Sequence, residues 1–169
     1  MENKLTTKEQ SISLYQMLIN SYNNSRLLTA RQNAIARLST TKQNIGEIIR
    51  INGELEVKRM ISHILVEASQ QLNIGKNITA EQTIKIAEQL IVKYPYFRLS
   101  DFKALLSEGL TGRYGTTYDR LDIQIIFEWA KKYDEELHEA VLDEREKEHK
   151  NNISLTKNIH PVLLPDRKS

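Results

Sequence analysis

Apolar residues recur at intervals of three and four along most of this chain, and the rhythm resets at polar breaks. Between Ser11 and Tyr22 they fall at Ile12, Tyr15, Leu18, Ile19 and Tyr22, the stripe of one helix face. Asn23-Asn24-Ser25 interrupts it. Thr29 is placed to cap a second helix with Ala30, Ala34 and Leu38 on one side, and the polar stretch 39–44 follows. Ile48, Ile49 and Ile51 precede Asn52-Gly53, a turn dipeptide. Val57, Ile61, Ile64, Leu65, Ala68 and Leu72 then trace a clear helix from about Glu54 to Leu72. Asn52-Gly53 either breaks one long helix or is absorbed by it. A short hairpin pairing 47–51 with 54–58 ranks below both, because its β-branched runs are brief.

Gly75 is placed at the end of that helix. Thr79-Ala-Glu-Gln82 reads as a capping box opening the next helix, with Ile84, Ala87, Leu90 and Ile91 on its apolar side. Pro95 stops it, since the residue before a proline avoids the α region. Ser100 is the expected N-cap of a short helix through Phe102, Leu105 and Leu106, ending near Gly109. Gly112-Arg-Tyr-Gly115 makes a tight connection to a final helix from about Asp119 to Glu148. Leu121, Ile125, Trp129, Tyr133, Leu137 and Val141 recur there every fourth residue, a stripe that winds slowly around a straight helix. The expected fold is all-α, a multi-helix bundle with a long amphipathic C-terminal helix. Its expected divisions are an N-terminal helical segment (1–44), a helical core domain (45–149) and a flexible C-terminal tail (150–169). The tail carries one apolar island, Ile159–Pro165, which is either a docking peptide or a chain end.

The length of 169 residues suits one domain with a tail, and an apolar share of 40% is enough to build a core. The net charge of +2 conceals a segregation: nine basic against five acidic positions in 1–60, ten against fourteen in 61–145, five against three in 146–169. That asymmetry is thinner than the dense basic patch of a strong non-specific DNA binder. The absence of cysteine excludes disulfides, thiolate chemistry and cysteine zinc sites. The polar start from Met1 to Gln10 lacks the apolar core of a signal peptide, and no apolar run nears the ~18–20 residues that span a bilayer. The expectation is a cytoplasmic protein with no membrane contact.

No catalytic set emerges. Glu135 and His138 share the i, i+3 spacing of di-metal helical bundles, but the further ligands such a site needs are missing, so a solvated face is the better reading. Asp119 and Asp122 are better read as complements to a helix dipole than as an acid–base pair. Gly112-Arg-Tyr-Gly115 has the GxxG form of a nucleic-acid clamp, without the surrounding sheet that clamp requires. The reading is a non-enzyme with no catalytic residue, metal or cofactor. What stands out is the density of aromatics and arginines: Tyr94, Tyr96, Phe97, Arg98, Arg113, Tyr114, Tyr118 and Arg120. Such residues suit base stacking, protein hot spots or plain packing of a turn, and all three remain open. The candidate contact residues for a protein partner or nucleic acid are Arg113, Tyr114, Tyr118, Arg120, Tyr96 and Arg98. A separate nucleic-acid reading rests on Arg26, Arg31, Arg37, Arg50, Lys58 and Arg59.

The stretch from Gly75 to Glu139, about 65 of the 169 residues, resembles a group of small, mostly uncharacterised helical proteins of phages and mobile elements of gut bacteria. Asn77-Ile-Thr-Ala-Glu-Gln82, Tyr94-Pro-Tyr-Phe97, Ser100-Asp-Phe102 and Gly112-Arg-Tyr-Gly-Thr-Thr-Tyr-Asp-Arg-Leu-Asp122, then Trp129 and Tyr133, carry the likeness. That group places glycine after the Leu-Asp pair, where Ile123 stands here. In outline the chain also looks like phage replicative-helicase loaders. The resemblance implies an accessory role in a bacterial host: assisting DNA replication by binding a helicase or single-stranded DNA. A structural or counter-defence protein that only binds protein, and a nucleic-acid-binding regulator, are the alternatives.

Overall fold

The computed structural model describes residues 3–72, 75–115 and 120–157, with side chains from 14 to 153 within those spans. Among them seven helices follow one another: α1 (Asn3–Asn24), α2 (Ala30–Ser39), α3 (Ile45–Asn52), α4 (Glu54–Gln70), α5 (Ala80–Lys93), α6 (Leu99–Leu110) and α7 (Ile123–Lys157). No strand occurs among the described residues; one isolated parallel bridge joins Lys76 to Arg120, with the Leu121 N–H donating to the Lys76 carbonyl at 2.9 Å. The all-α expectation holds. No helix of the described residues is long and apolar enough to cross a membrane. The tail island Ile159–Pro165 and the expected start of the last helix at Asp119 lie outside the described residues.

Local chemistry sets most helix starts. Thr29 accepts from the Gln32 N–H at 3.3 Å while Gln32 accepts from the Thr29 N–H at 3.0 Å. Thr79 and Gln82 repeat the reciprocal pair at 3.2 and 2.9 Å, as their spacing predicts. A third box, Asn44 with Glu47, opens α3 out of a stretch read only as polar. Ser100 is not the cap of α6; it lies within the first turn. Arg98 is extended (φ −98°, ψ 167°), and its N–H donates to Asp101 Oδ2 at 2.5 Å, so the capping carboxylate stands three residues on. Asp122 Oδ1 accepts from the Ile125 N–H at 3.1 Å and opens α7.

The stops are equally physical. Gly53 sits at φ +89°, a backbone region closed to most side chains, and separates α3 from α4. The single-helix and hairpin readings of Asn52-Gly53 both fall to that break. α4 ends at Gln70, ahead of Gly75. α6 ends in a Schellman motif: the Arg113 N–H reaches the Glu108 carbonyl, the Gly112 N–H reaches that of Gly109, both at 3.0 Å, and Gly112 takes φ +84°. α7 continues to Lys157, past the expected end at Glu148 and past residue 150, where the tail was drawn. Towards its exposed end the ion pairs Lys147–Glu144 and Lys150–Glu146, each 2.7 Å, support the helix.

One hydrophobic cluster draws members from all seven helices. α7 is its spine, burying Ile126, Trp129, Ala130, Tyr133 and Leu137, with Leu121 buried just ahead of it, close to the predicted stripe. α2 lies along α7, and α6 crosses it so closely that Gly109 faces the indole of Trp129. A Cβ on Gly109 would overlap Trp129 Cε3 and Cδ2 and stand 2.7 Å from Cζ3. The turn after α5 packs its rings inward. Phe97 stacks on Tyr94 at 4.7 Å between centroids and meets Tyr96, Phe102 and Tyr133 edge-on at 5.4, 5.7 and 5.5 Å. The same turn offers three consecutive carbonyls. Pro95 accepts from the Gly46 N–H at 2.8 Å, Phe97 from the Ile45 N–H at 2.7 Å, and Tyr96 from Arg37 Nη1 at 3.0 Å. Two amides at the start of α3, which no helix can satisfy internally, are thus paired.

Candidate functional site

The predicted contact residues separate into two clusters that the fold uses for itself. Gly112–Gly115 folds back on α7. Tyr114, expected to be exposed, is 3% exposed; its hydroxyl donates to Glu136 Oε2 at 3.4 Å and its carbonyl accepts from Lys132 Nζ at 2.5 Å. Burial, then the Glu136 charge, pushes the Tyr114 hydroxyl far above its ordinary range. The turn buries the ring because both of its ends are glycines at positive φ, which lets the chain press flat on α7. Arg113 is exposed, but its guanidinium is engaged by Glu136 (3.1 and 3.3 Å) and Glu108 (3.8 Å). Arg120 is exposed and paired with Asp122 at 3.1 Å. Tyr118 lies outside the described residues.

Tyr96 and Arg98 belong to the second cluster. The Tyr96 hydroxyl donates to Asp134 Oδ1 at 2.9 Å and its ring meets His138 edge-on at 5.8 Å. Arg98 donates to the Ala36 and Thr40 carbonyls at 3.3 and 3.0 Å, capping the end of α2. Asp134 and His138 lie roughly 160° around α7 from Lys132 and Glu136, so the two clusters occupy opposite sides of that helix. The structure does not bring the five candidates among the described residues into one surface.

Between the clusters lies a buried polar network that local sequence patterns do not predict. Asp101, with no solvent exposure, accepts from the Tyr133 hydroxyl at 2.6 Å, the Arg98 N–H and the Arg37 guanidinium. Asn33 Nδ2 donates to the Tyr133 oxygen at 2.9 Å. Burial pushes the Asp101 carboxyl above its usual range, and the adjacent Arg37 charge opposes that shift. We read the group as the carboxylate, because each of its contacts is a donor. A salt-bridged carboxylate sealed from solvent suits holding α2, α6 and α7 together. The one signal in the sequence was Asn33 on the alanine side of α2.

The basic positions first grouped for nucleic acid are mostly committed. Arg31 pairs with Glu144, Arg37 with Asp101, Lys58 with Glu54 and Glu88, and Arg59 with Glu56. The Glu135–His138 spacing does not converge either: His138 Nδ1 faces Asp134 at 3.1 Å and Glu135 faces Lys131 at 3.7 Å. Among the described residues no group of three metal-ligating side chains comes together.

An apolar groove of about 560 Å³ lies between α4 and α5, flanked by Tyr15 of α1. Leu55 and Val66 of α4 and Ala80 and Ile84 of α5 supply its apolar walls. Leu55 and Ile84 are 56% and 50% exposed. Ile84, expected on the inner side of its helix, shares an angular position with Ile91 one heptad later, yet Ile91 is 4% exposed. The inner residues at that level are instead Thr83, Ile86 and Ala87. Lys58 spans the rim, bonded to Glu54 at 3.0 Å and Glu88 at 3.2 Å. His63 pairs with Glu67 at 3.2 Å and meets Tyr15 edge-on at 6.2 Å. On the floor, the Ser62 hydroxyl is buried with no hydrogen-bond partner. The rim charges are thus engaged with one another, and the free chemistry of the groove is apolar. Comparison with protein-family models, with curated proteins and with solved structures found no match.

Proposed function

We propose that this chain is a non-enzymatic accessory protein that acts by binding another protein, with the α4–α5 groove receiving the apolar face of a partner helix. The observation that carries this is the pair Leu55 and Ile84, two large aliphatic side chains half exposed on the walls of one groove. Completing their burial is worth about 1 kcal/mol each. The wall from Leu55 to Val66 is about 16 Å long, which matches three turns of a helix presenting apolar residues at i, i+4 and i+7. The ion pairs that occupy Arg31, Arg37, Lys58 and Arg59 favour protein over nucleic acid as the partner. The resemblance to phage and mobile-element proteins makes a replicative helicase in the cytoplasm of a bacterial host the first partner to test.

The test is calorimetric titration of the full chain against a bacterial replicative helicase, with Leu55→Glu and Ile84→Glu. Both side chains are exposed, so the variants keep the parent Tm while a charge in the groove weakens binding by about tenfold or more. Leu142→Glu, on an exposed face of α7, is the control and leaves affinity unchanged. Equal affinity of both groove variants and the parent would refute the groove as the docking site.

A further inference from the structure

A second cavity, of about 390 Å³, opens on the far side of the buried network, where α2, the turn after α5 and α7 meet. Arg37, Arg98 and Arg145 line it together with His138, Tyr96 and Val141, and no carboxylate belongs to its lining. We propose that this cavity binds the phosphate group of a small phosphate monoester, whose organic body rests on the apolar wall at Val141. This inference is independent of the docking groove, which lies on α4 and α5.

Four observations converge on an anion. Two carboxylates beside the cavity are already committed: Asp101 lies sealed behind Arg37, and Asp134 is held by Tyr96 and His138. Arg145 is exposed and has no ion pair among the described residues, unlike its neighbour Glu144, which bonds both Arg31 and Lys147. The Nε–H of Arg37 is buried without an acceptor. Arg98 loses basicity through burial and then through the nearby Arg37 charge, a repulsion that a bound dianion would relieve. Arg37 and Arg98 each spend one Nη1 and one Nη2 bond on the fold, which leaves further guanidinium N–H groups on both. Guanidinium forks match tetrahedral phosphate oxygens in pairs, and charge-assisted bonds of this kind are the strong ones. The cavity is larger than one phosphate group, and its remaining wall is apolar, which is why an ester fits better than the bare ion.

The experiment follows the arginine Nε–H and backbone amide resonances of the isotope-labelled full chain during titration. The probes are inorganic phosphate, adenosine 5′-monophosphate and adenosine. The expected result is saturable shifts at Arg37, Arg98 and Arg145 with phosphate, tighter saturation with the monophosphate, and none with adenosine. Arg145→Ala keeps the parent Tm, because that side chain is exposed and has no ion pair among the described residues, and weakens the monophosphate by about tenfold. A 5′-phosphorylated oligonucleotide and its unphosphorylated twin binding equally, and both more tightly than the monophosphate, would mean that the cavity reads backbone rather than a monoester, and would overturn the proposal. Non-saturating shifts with every probe, or unchanged affinity in Arg145→Ala, would overturn it as well.

Discussion

Replacing Gly109 by alanine tests how closely α6 and α7 approach. In an open helix interior the change gains about 1 kcal/mol, because alanine has the higher helix propensity and glycine loses more freedom on folding. Here the added methyl meets the Trp129 indole, which is 2% exposed and surrounded by packed side chains. Neither a helix backbone nor a buried indole yields cheaply, and overpacking of this kind costs about 1–3 kcal/mol. With overlap against two ring carbons the upper end applies, so the net effect is a loss of roughly 2 kcal/mol. For a chain of this size that lowers Tm by roughly 4–8 °C. Trp129 is the sole tryptophan, so urea unfolding followed by its fluorescence reports on this contact directly. The same substitution in a Trp129→Leu background, followed by circular dichroism, costs less because the indole is gone; the difference is the coupling between the two sites. A Gly109→Ala protein as stable as the parent, or more stable, would refute the close crossing of α6 and α7.

Asp101→Asn removes the negative charge opposite the half-buried Arg37, and costs about 2–4 kcal/mol, seen as a Tm fall of roughly 4–16 °C. Gly53→Ala meets no neighbouring atom but must hold φ +89°, so it loses roughly 1 kcal/mol or more by urea unfolding, with an unchanged m-value. Burial and then the Glu67 charge push the Tyr22 hydroxyl up to about 12 from an ordinary value of 10.0, so the folded state resists its ionisation. The stability linked to Tyr22 is therefore fully present below pH ~10 and is lost as pH rises towards ~12. Tyr22→Phe flattens the alkaline fall by roughly 1–2 kcal/mol over that window, after allowing for partial solvent screening, and urea midpoints from pH 9 to 11.5 measure it.

What could be read in advance was the chemistry that acts over a few residues. Thr79 and Gln82 sit three apart and cap each other wherever the helix lies, and the four-residue recurrence from Leu121 to Val141 fixes the inner face of α7 without knowledge of its neighbours. Distant pairings were opaque. Arg37 and Asp101 stand far apart in sequence, so Arg37 read as one more surface charge. Tyr114 read as exposed because its burial depends on a turn closing over α7. Ile84 and Ile91 are equivalent in angle along α5, yet one is half exposed and the other buried, a difference that periodicity along α5 does not carry. The same limit hid the groove: an opening between two helices is a property of their placement, while periodicity describes each helix alone.

The three carbonyls from Pro95 to Phe97 also bear on the order in which the chain assembles. Two of them, those of Pro95 and Phe97, hold the first amides of α3, about fifty residues earlier, so this contact closes a loop containing all of α4 and α5. Closing that loop from a disordered chain is slow, whereas α4 and α5 pair across a short connection. The α4–α5 hairpin shortens the loop before α3 can dock, which places the seating of Ile45 and Gly46 late on the folding route. Those two amides are also native latches: they exchange with solvent only when the 95–97 turn lets go, and not with the fraying usual at the start of a helix.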